Sequence, residues 1–284
     1  MGCGVVAGVG VVESQAMPET VISTELGRCS AALLAARDAR APIAPLTDSM
    51  PALSIRDAYA IAQLGVAADI ERGARVVGHK IGLTSVTVQQ QLGVSEPDYG
   101  ALLDVMAIAN GSVLAVGDYI APRVELELAF TMGARLLGPG LTAEDVRAAV
   151  AVVHPAIELV DSRIADWRIR LADTVADRAS SAGFVVGDQS FTLDEIDVSA
   201  VEVTLFNHDA QIEAGRSDAV LGDPCAAVAW LANALGELGE SLEPGEMVLS
   251  GACTRMAAAQ AGDEFRGVFE GLGELRLAFA AGSS

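Results

Sequence analysis

Lysine is almost absent from this chain. Of its 18 basic residues only Lys80 is a lysine, and the other seventeen are arginines. Such a bias either reflects genomic base composition or leaves one lysine for a task that arginine cannot perform, such as giving up a proton. Positive charge is scarce too. With 38 acidic residues the formal net charge is −20, which excludes binding of nucleic acid or an anionic membrane through bulk electrostatics. A small anionic substrate would need a local positive centre, either a metal or a placed Lys or Arg. Cysteine is limited to Cys3, Cys29, Cys225 and Cys253, with no C-x-x-C pair. That argues against a structural zinc site or a disulfide framework and suits a reducing cytoplasm. Aromatic residues make up only 4%, so the core must be built from Val, Leu, Ile and Ala. No G-x-S-x-G, Walker, dinucleotide-binding or H-E-x-x-H pattern occurs. The opening "MGCGVVAGVGVVES" lacks a basic n-region and is too short to span a bilayer. Val6 stands where a myristoylation signal wants Ser or Thr. Residues 1–16 are expected to be a disordered extension, with Met17 a plausible alternative start.

What is present is a chain that is 51% hydrophobic over 284 residues, able to bury a substantial core in one large domain or a large and a small one. Residues 17–75 read as a small helical region. "TELGRCSAALLAARDAR" has apolar residues at helical spacing before Pro42 and Pro45, and "SIRDAYAIAQLGVAADIERGA" follows, with Ser54 as N-cap. From residue 76 to 284 the texture is β-rich, with short apolar runs punctuated by Gly, Pro and Asp. "TAEDVRAAVAVV", with a Thr142/Asp145 capping pattern, and "DPCAAVAWLANALGELG", with Pro224 in its first turn, read as helices among these strands. The pattern predicts an α+β fold, with the boundary near residue 75.

Three stretches carry candidate chemistry. In "PRVELELAF", residues 122–130, strand alternation puts Glu125 and Glu127 on one face and Val124, Leu126 and Leu128 on the other. Either that face is in water or something positive sits over it, because burying two unpaired carboxylates costs several kcal/mol. Glu158 lies in a second apolar strand, and three such carboxylates are what an oxygen-only Mg²⁺ or Mn²⁺ site needs. In "GHKIGLTS", glycines flank Lys80 and allow close backbone approach. Lys80 is there either a surface lysine with a packed stem or an anion anchor and proton carrier. The polar "DTVADRASSAG", residues 173–183, is either a surface loop or a wall in which Asp173, Asp177, Ser180 or Ser181 holds substrate or water. His79, His154 and His208 have no metal-ligand spacing.

Together, "GHKIGLTSVTVQQQLGVSEPDYG", "PRVELELAF", "PAIELVDSRIADW", "DTVADRASSAGFVVG", "GRSDAVLGDPCAAVAWLA" and "GDEFRGVFEGLGELRLAF" resemble the 2-keto-4-pentenoate (2-hydroxypenta-2,4-dienoate) hydratases of the fumarylacetoacetate hydrolase superfamily. The resemblance covers residues 25 to 280 or so. It implies a mixed β-roll or sandwich with a small helical N-terminal region, a homo-oligomer, and a Mg²⁺ or Mn²⁺ site at Glu125, Glu127 and Glu158. Lys80, Asp98 and Ser180 match polar residues of the substrate pocket. Arg178 departs from the family, which commonly has Asn at that place. The implied activity is that of a cytoplasmic hydro-lyase in meta-cleavage catabolism of aromatic or steroid compounds. Its substrate is a small anionic dienol or 2-oxo acid, and a decarboxylase or aldolase of the same pathway is an implied partner. The sister activity, 4-oxalocrotonate decarboxylation, is the alternative within the family, and a non-catalytic metal- or ligand-binding protein is the alternative outside it.

Overall fold

The computed structural model describes residues 19–85, 89, 94 and 96–282; the expected extension at residues 1–16 lies outside them. Three helices come first: α1 (Glu19–Ala39), α2 (Leu46–Ser49) and α3 (Ile55–Glu71). Ser54 caps α3 by accepting from the Asp57 N–H at 3.1 Å. The chain then runs through β1 (Val76–Gly82), β2 (Asp98–Leu103), β3 (Ser112–Leu114), β4 (Arg123–Met132), α4 (Ala143–Ala149) and β5 (Val150–Val160). After α5 (Leu171–Ala176) come β6 (Ser181–Val186), β7 (Glu202–Asn207) and β8 (Ala210–Arg216). Helix α6 (Pro224–Glu237) and strands β9 (Met247–Leu249), β10 (Ala257–Ala258), β11 (Glu264–Phe269) and β12 (Gly273–Phe279) complete it.

The strands form two curled sheets. One has the order β2-β1-β9-β4-β5-β6, with β10 added alongside β4; the other has the order β3-β12-β11-β7-β8. Alternation along β4 explains how they pack. Val124, Leu126, Leu128 and Phe130 are fully buried in the main core, together with Leu205, Phe265 and Leu275 of the second sheet and Val228 and Leu231 of α6. Gly267 lies so close that a Cβ there would meet Leu126 at 2.5 Å. The segment Ser217–Glu237 is apolar and long enough by composition to cross a membrane, but the inward face of α6 is part of this core. The helical region has its own cluster, in which Leu26, Leu33 and Ile61 pack on Ile164 and Val175.

Two elements depart from the pattern reading. Helix α4 ends at Ala149, and Val150 opens β5 at once. Val150, Val152 and Val153 are β-branched and pair with the end of β4, so sheet packing overrides the helical spacing. The stretch 173–183, which lacks apolar periodicity, divides into most of α5, a 3₁₀ turn at Arg178–Ser180 and the start of β6.

Candidate active site

The other face of the first sheet carries the polar cluster. In the antiparallel β4–β5 ladder Glu125 stands directly opposite Glu158, and Glu127 opposite Ala156. Two strands away, Lys80 of β1 shares a row with Leu249 of β9 and Ala129 of β4. Ala129 has the same parity as Glu125 and Glu127, so all four polar side chains rise from one face. Around them lies an apolar frame of Leu102, Ala129, Ala156, Phe184 and Leu249. Glu127, Glu158 and Lys80 are buried, while Glu125 stays partly exposed. One oxygen from each of the three glutamates lies within 4.8 Å of the others.

Lys80 Nζ is 3.2 Å from Glu158 Oε2 and donates to the Ala179 carbonyl at 3.0 Å. Asp98, at the start of β2, sits across from Gly82. A Cβ on Gly82 would fall 2.2 Å from Asp98 Oδ1 and 3.4 Å from Lys80 Nζ, so the absent side chain lets the carboxylate lean toward the ammonium. Thr174 Oγ1 of α5 donates to Asp98 Oδ2 at 3.3 Å and fixes its other oxygen. Asp98 Oδ1 and the hydroxyl of Ser180 are buried with no hydrogen-bond partner among the described residues. Both are free to bind substrate or water. The Gly251 N–H donates to Glu127 Oε2 at 2.9 Å, and Gly251 itself has a left-handed φ of 117° against the Thr84 side chain.

Electrostatics make this cluster uneasy on its own. Desolvation, then Glu158, push Glu125 up to about 7. Glu127 is raised well above the ordinary carboxylate range by burial and then by Glu158 and Glu125. Burial also raises Glu158 and Asp98, against the pull of Lys80. For Lys80, burial alone would lower the pKa, but Glu158, Asp98, Glu125 and Glu127 outweigh it and hold the amine above its usual range. One ammonium faces four carboxylates, and among the described residues neither oxygen of Glu158 has a well-aligned hydrogen-bond donor. A hard divalent cation with oxygen ligands fits this donor set and supplies the missing charge.

The polar wall predicted at residues 173–183 is only partly a site surface. Asp173 accepts from Thr47 N–H at 2.9 Å and Thr47 Oγ1 at 2.7 Å, tying down α2. Asp177 accepts from the Arg163 N–H at 2.9 Å and from the Arg163 guanidinium. Those two carboxylates hold the protein together. Ser181 stands beside Glu158 and helps hold its pKa down, which leaves Ser180 as the wall's hydroxyl with no partner among the described residues. His79 points to the opposite face from Lys80; its ring meets Tyr99 edge-on at 6.3 Å, and burial lowers it to about 4. Pattern reading marks the glycines flanking Lys80 for close approach but does not set Asp98 against Gly82, and it passes over Thr174 and the Ala179 carbonyl. Which side chain meets a glycine, and where a backbone carbonyl points, leave no signature in a sequence.

The sequence profile of the family described as fumarylacetoacetate (FAA) hydrolase C-terminal matches residues 87–280. A 2-keto-4-pentenoate hydratase of Paraburkholderia xenovorans (strain LB400) is 44% identical over 238 residues, 84% of this chain and 88% of the relative. A 2-hydroxyhexa-2,4-dienoate hydratase of Comamonas testosteroni is 42% identical over 260 residues, 91% of this chain and 97% of the relative. Among solved structures, the 4-oxalocrotonate decarboxylase of Pseudomonas putida G7, complexed with magnesium and adipate, superposes with a TM-score of 0.89 at 32% identity. That match covers 90% of this chain and 98% of the other.

Proposed function

This chain belongs to the fumarylacetoacetate hydrolase family, and from that premise we propose that it is a metal-dependent hydro-lyase. It adds water to 2-hydroxypenta-2,4-dienoate or a close homologue and yields a 4-hydroxy-2-oxo acid in meta-cleavage catabolism. The observation that carries this reading is the juxtaposition of Glu158 with Glu125 across the β4–β5 ladder and with Lys80 Nζ at 3.2 Å. Glu125, Glu127 and Glu158 would hold Mg²⁺ or Mn²⁺. When bound, the ion acts as a Lewis acid, stabilising negative charge on the oxygens of a 2-oxo acid.

The protein's own groups carry the protons. Ketonisation moves the C2 hydroxyl proton to C5 and leaves a C3–C4 double bond conjugated with the ketone. Water then adds its oxygen at C4, and a proton is delivered to C3. Lys80 and Asp98, placed side by side by Gly82, form the relay. Lys80 is held charged by its carboxylate neighbours and enters as proton donor and anion anchor. Asp98, raised by burial, exchanges protons with it. Ser180, with its unpaired hydroxyl, orients substrate or the attacking water. The apolar frame from Leu102 to Leu249 excludes bulk water and faces the hydrocarbon part of the dienol.

Loss of dienol absorbance on adding purified protein with Mg²⁺, run over pentadienoate, hexadienoate and longer homologues, tests the reading. Chelator-insensitive turnover, or none with any chain length, would sink it. The likeness to the decarboxylase structure supports a second reading, decarboxylation of 4-oxalocrotonate, and CO₂ release separates the two. A cytoplasmic setting is part of the proposal and accords with the free thiols of Cys29, Cys225 and Cys253. So are a homo-oligomeric state and pairing with a pathway decarboxylase or aldolase, which light scattering and co-purification test.

A further inference from the structure

The wall beside Lys80 is anchored from two directions. Toward the β-rich part, Asp177 accepts from the Arg163 N–H at 2.9 Å and from Ser162 Oγ at 3.2 Å. Arg163 Nη1 also donates to the carbonyls of Asp161 at 2.6 Å and Ser181 at 3.0 Å. Toward the helices, Arg178 Nη1 donates to Asp69 Oδ2 of α3 at 2.8 Å, with both side chains buried. Asp69 also receives the fork of Arg37 from α1, at 2.7 and 2.9 Å.

Between these anchors Arg178, Ala179 and Ser180 have φ angles of 55°, 51° and 55°. Three successive non-glycine residues in the left-handed region do not persist on local preference, so their surroundings must impose the conformation. This turn meets the site at two carbonyls. The Arg178 carbonyl packs on Gly100, where a Cβ would approach to 2.4 Å. The Ala179 carbonyl accepts from Lys80 Nζ at 3.0 Å.

We propose that Arg178 is a positioning residue: its buried ion pair with Asp69 imposes the left-handed turn that aims the Ala179 carbonyl at Lys80. The helical region thereby sets where the site's only ammonium stands. The inference rests on the hydratase reading for its kinetic arm alone. Because Lys80 is the sole lysine, labelling with ¹³C,¹⁵N-lysine gives one side-chain ammonium signal, a readout that needs neither substrate nor metal.

The experiment compares the full chain with Arg178→Met, Arg178→Lys, Arg178→Asn and Asp69→Asn. Arg178→Met and Asp69→Asn are expected to move the Lys80 signal and lower kcat about ten- to a hundredfold, with KM changed less than about threefold. Arg178→Lys keeps a cation within reach of Asp69 and restores most of both readouts. Asn tolerates left-handed backbone but cannot make the ion pair, so Arg178→Asn behaves as Arg178→Met does. Should Arg178→Met fail to fold, Asp69→Asn carries the comparison. If the parent does not hydrate any dienol, the functional reading falls and the ammonium signal alone decides this one. An unmoved signal in the folded variants, or parental behaviour of Arg178→Asn, overturns the proposal.

Discussion

Gly82 and Lys80 occupy alternate positions on one strand, and together they decide where the proposed acid–base groups stand. A Cβ at Gly82 would meet Asp98 Oδ1 at 2.2 Å, and Thr174 holds the other oxygen of that carboxylate. Gly82→Ala must therefore displace Asp98 while leaving the three glutamates, on strands further across the sheet, in place. Turnover is expected to fall about ten- to a hundredfold, with Mg²⁺ affinity by titration calorimetry unchanged. Parental turnover in this variant would remove Asp98 from the relay. Lys80→Met removes the ammonium but keeps most of the side-chain volume. Its turnover should drop by about 10²–10⁴ while Mg²⁺ still binds, and an active Lys80→Met enzyme would exclude the lysine from the chemistry.

At the scale of elements, much of this site can be read from strand alternation. The two-residue spacing of Glu125 and Glu127 puts both on one face, and the observed ladder adds Glu158 directly opposite Glu125. Alternation cannot supply that pairing, because register is a property of two strands and not of either one. The stretch 173–183 was less legible for a different reason. Its acidic residues look like ligands in a sequence, but Asp173 grips α2 and Asp177 grips Arg163, partners 126 and 14 residues away. The contribution of α5 to the site, Thr174 on Asp98, depends on that grip. Among the described residues, Thr47→Val leaves one oxygen of the fully buried Asp173 with only the Arg170 N–H, at 3.0 Å. It should cost about 1–3 kcal/mol in urea unfolding. A loss of that size with normal Mg²⁺ binding would mark Asp173 as structural, whereas full stability with lost turnover would return it to the substrate wall.

For the whole molecule, the dominant electrostatic fact is a −20 chain that gathers carboxylates in a largely buried cluster. Such a cluster makes the metal-free fold weakest where all of them are ionised. Glu125, raised from 4.5 to about 7 in the fold, gives the sign. Below its unfolded pKa it is protonated in both states and costs nothing; between about 4.5 and 7 the unfolded chain releases the proton more readily, so stability falls as pH rises. Glu125→Gln has no such proton to lose. The metal-free parent and Glu125→Gln should therefore melt alike near pH 5, with the parent melting lower at pH 8. Saturating Mg²⁺ binds the ionised carboxylates and stabilises by mass action, so the order at pH 8 should reverse in its presence. Thermal melts of both proteins at the two pH values, with and without Mg²⁺, check this. Parallel curves under all four conditions would mean that the cluster does not need a cation, and the metal assignment would fail with it.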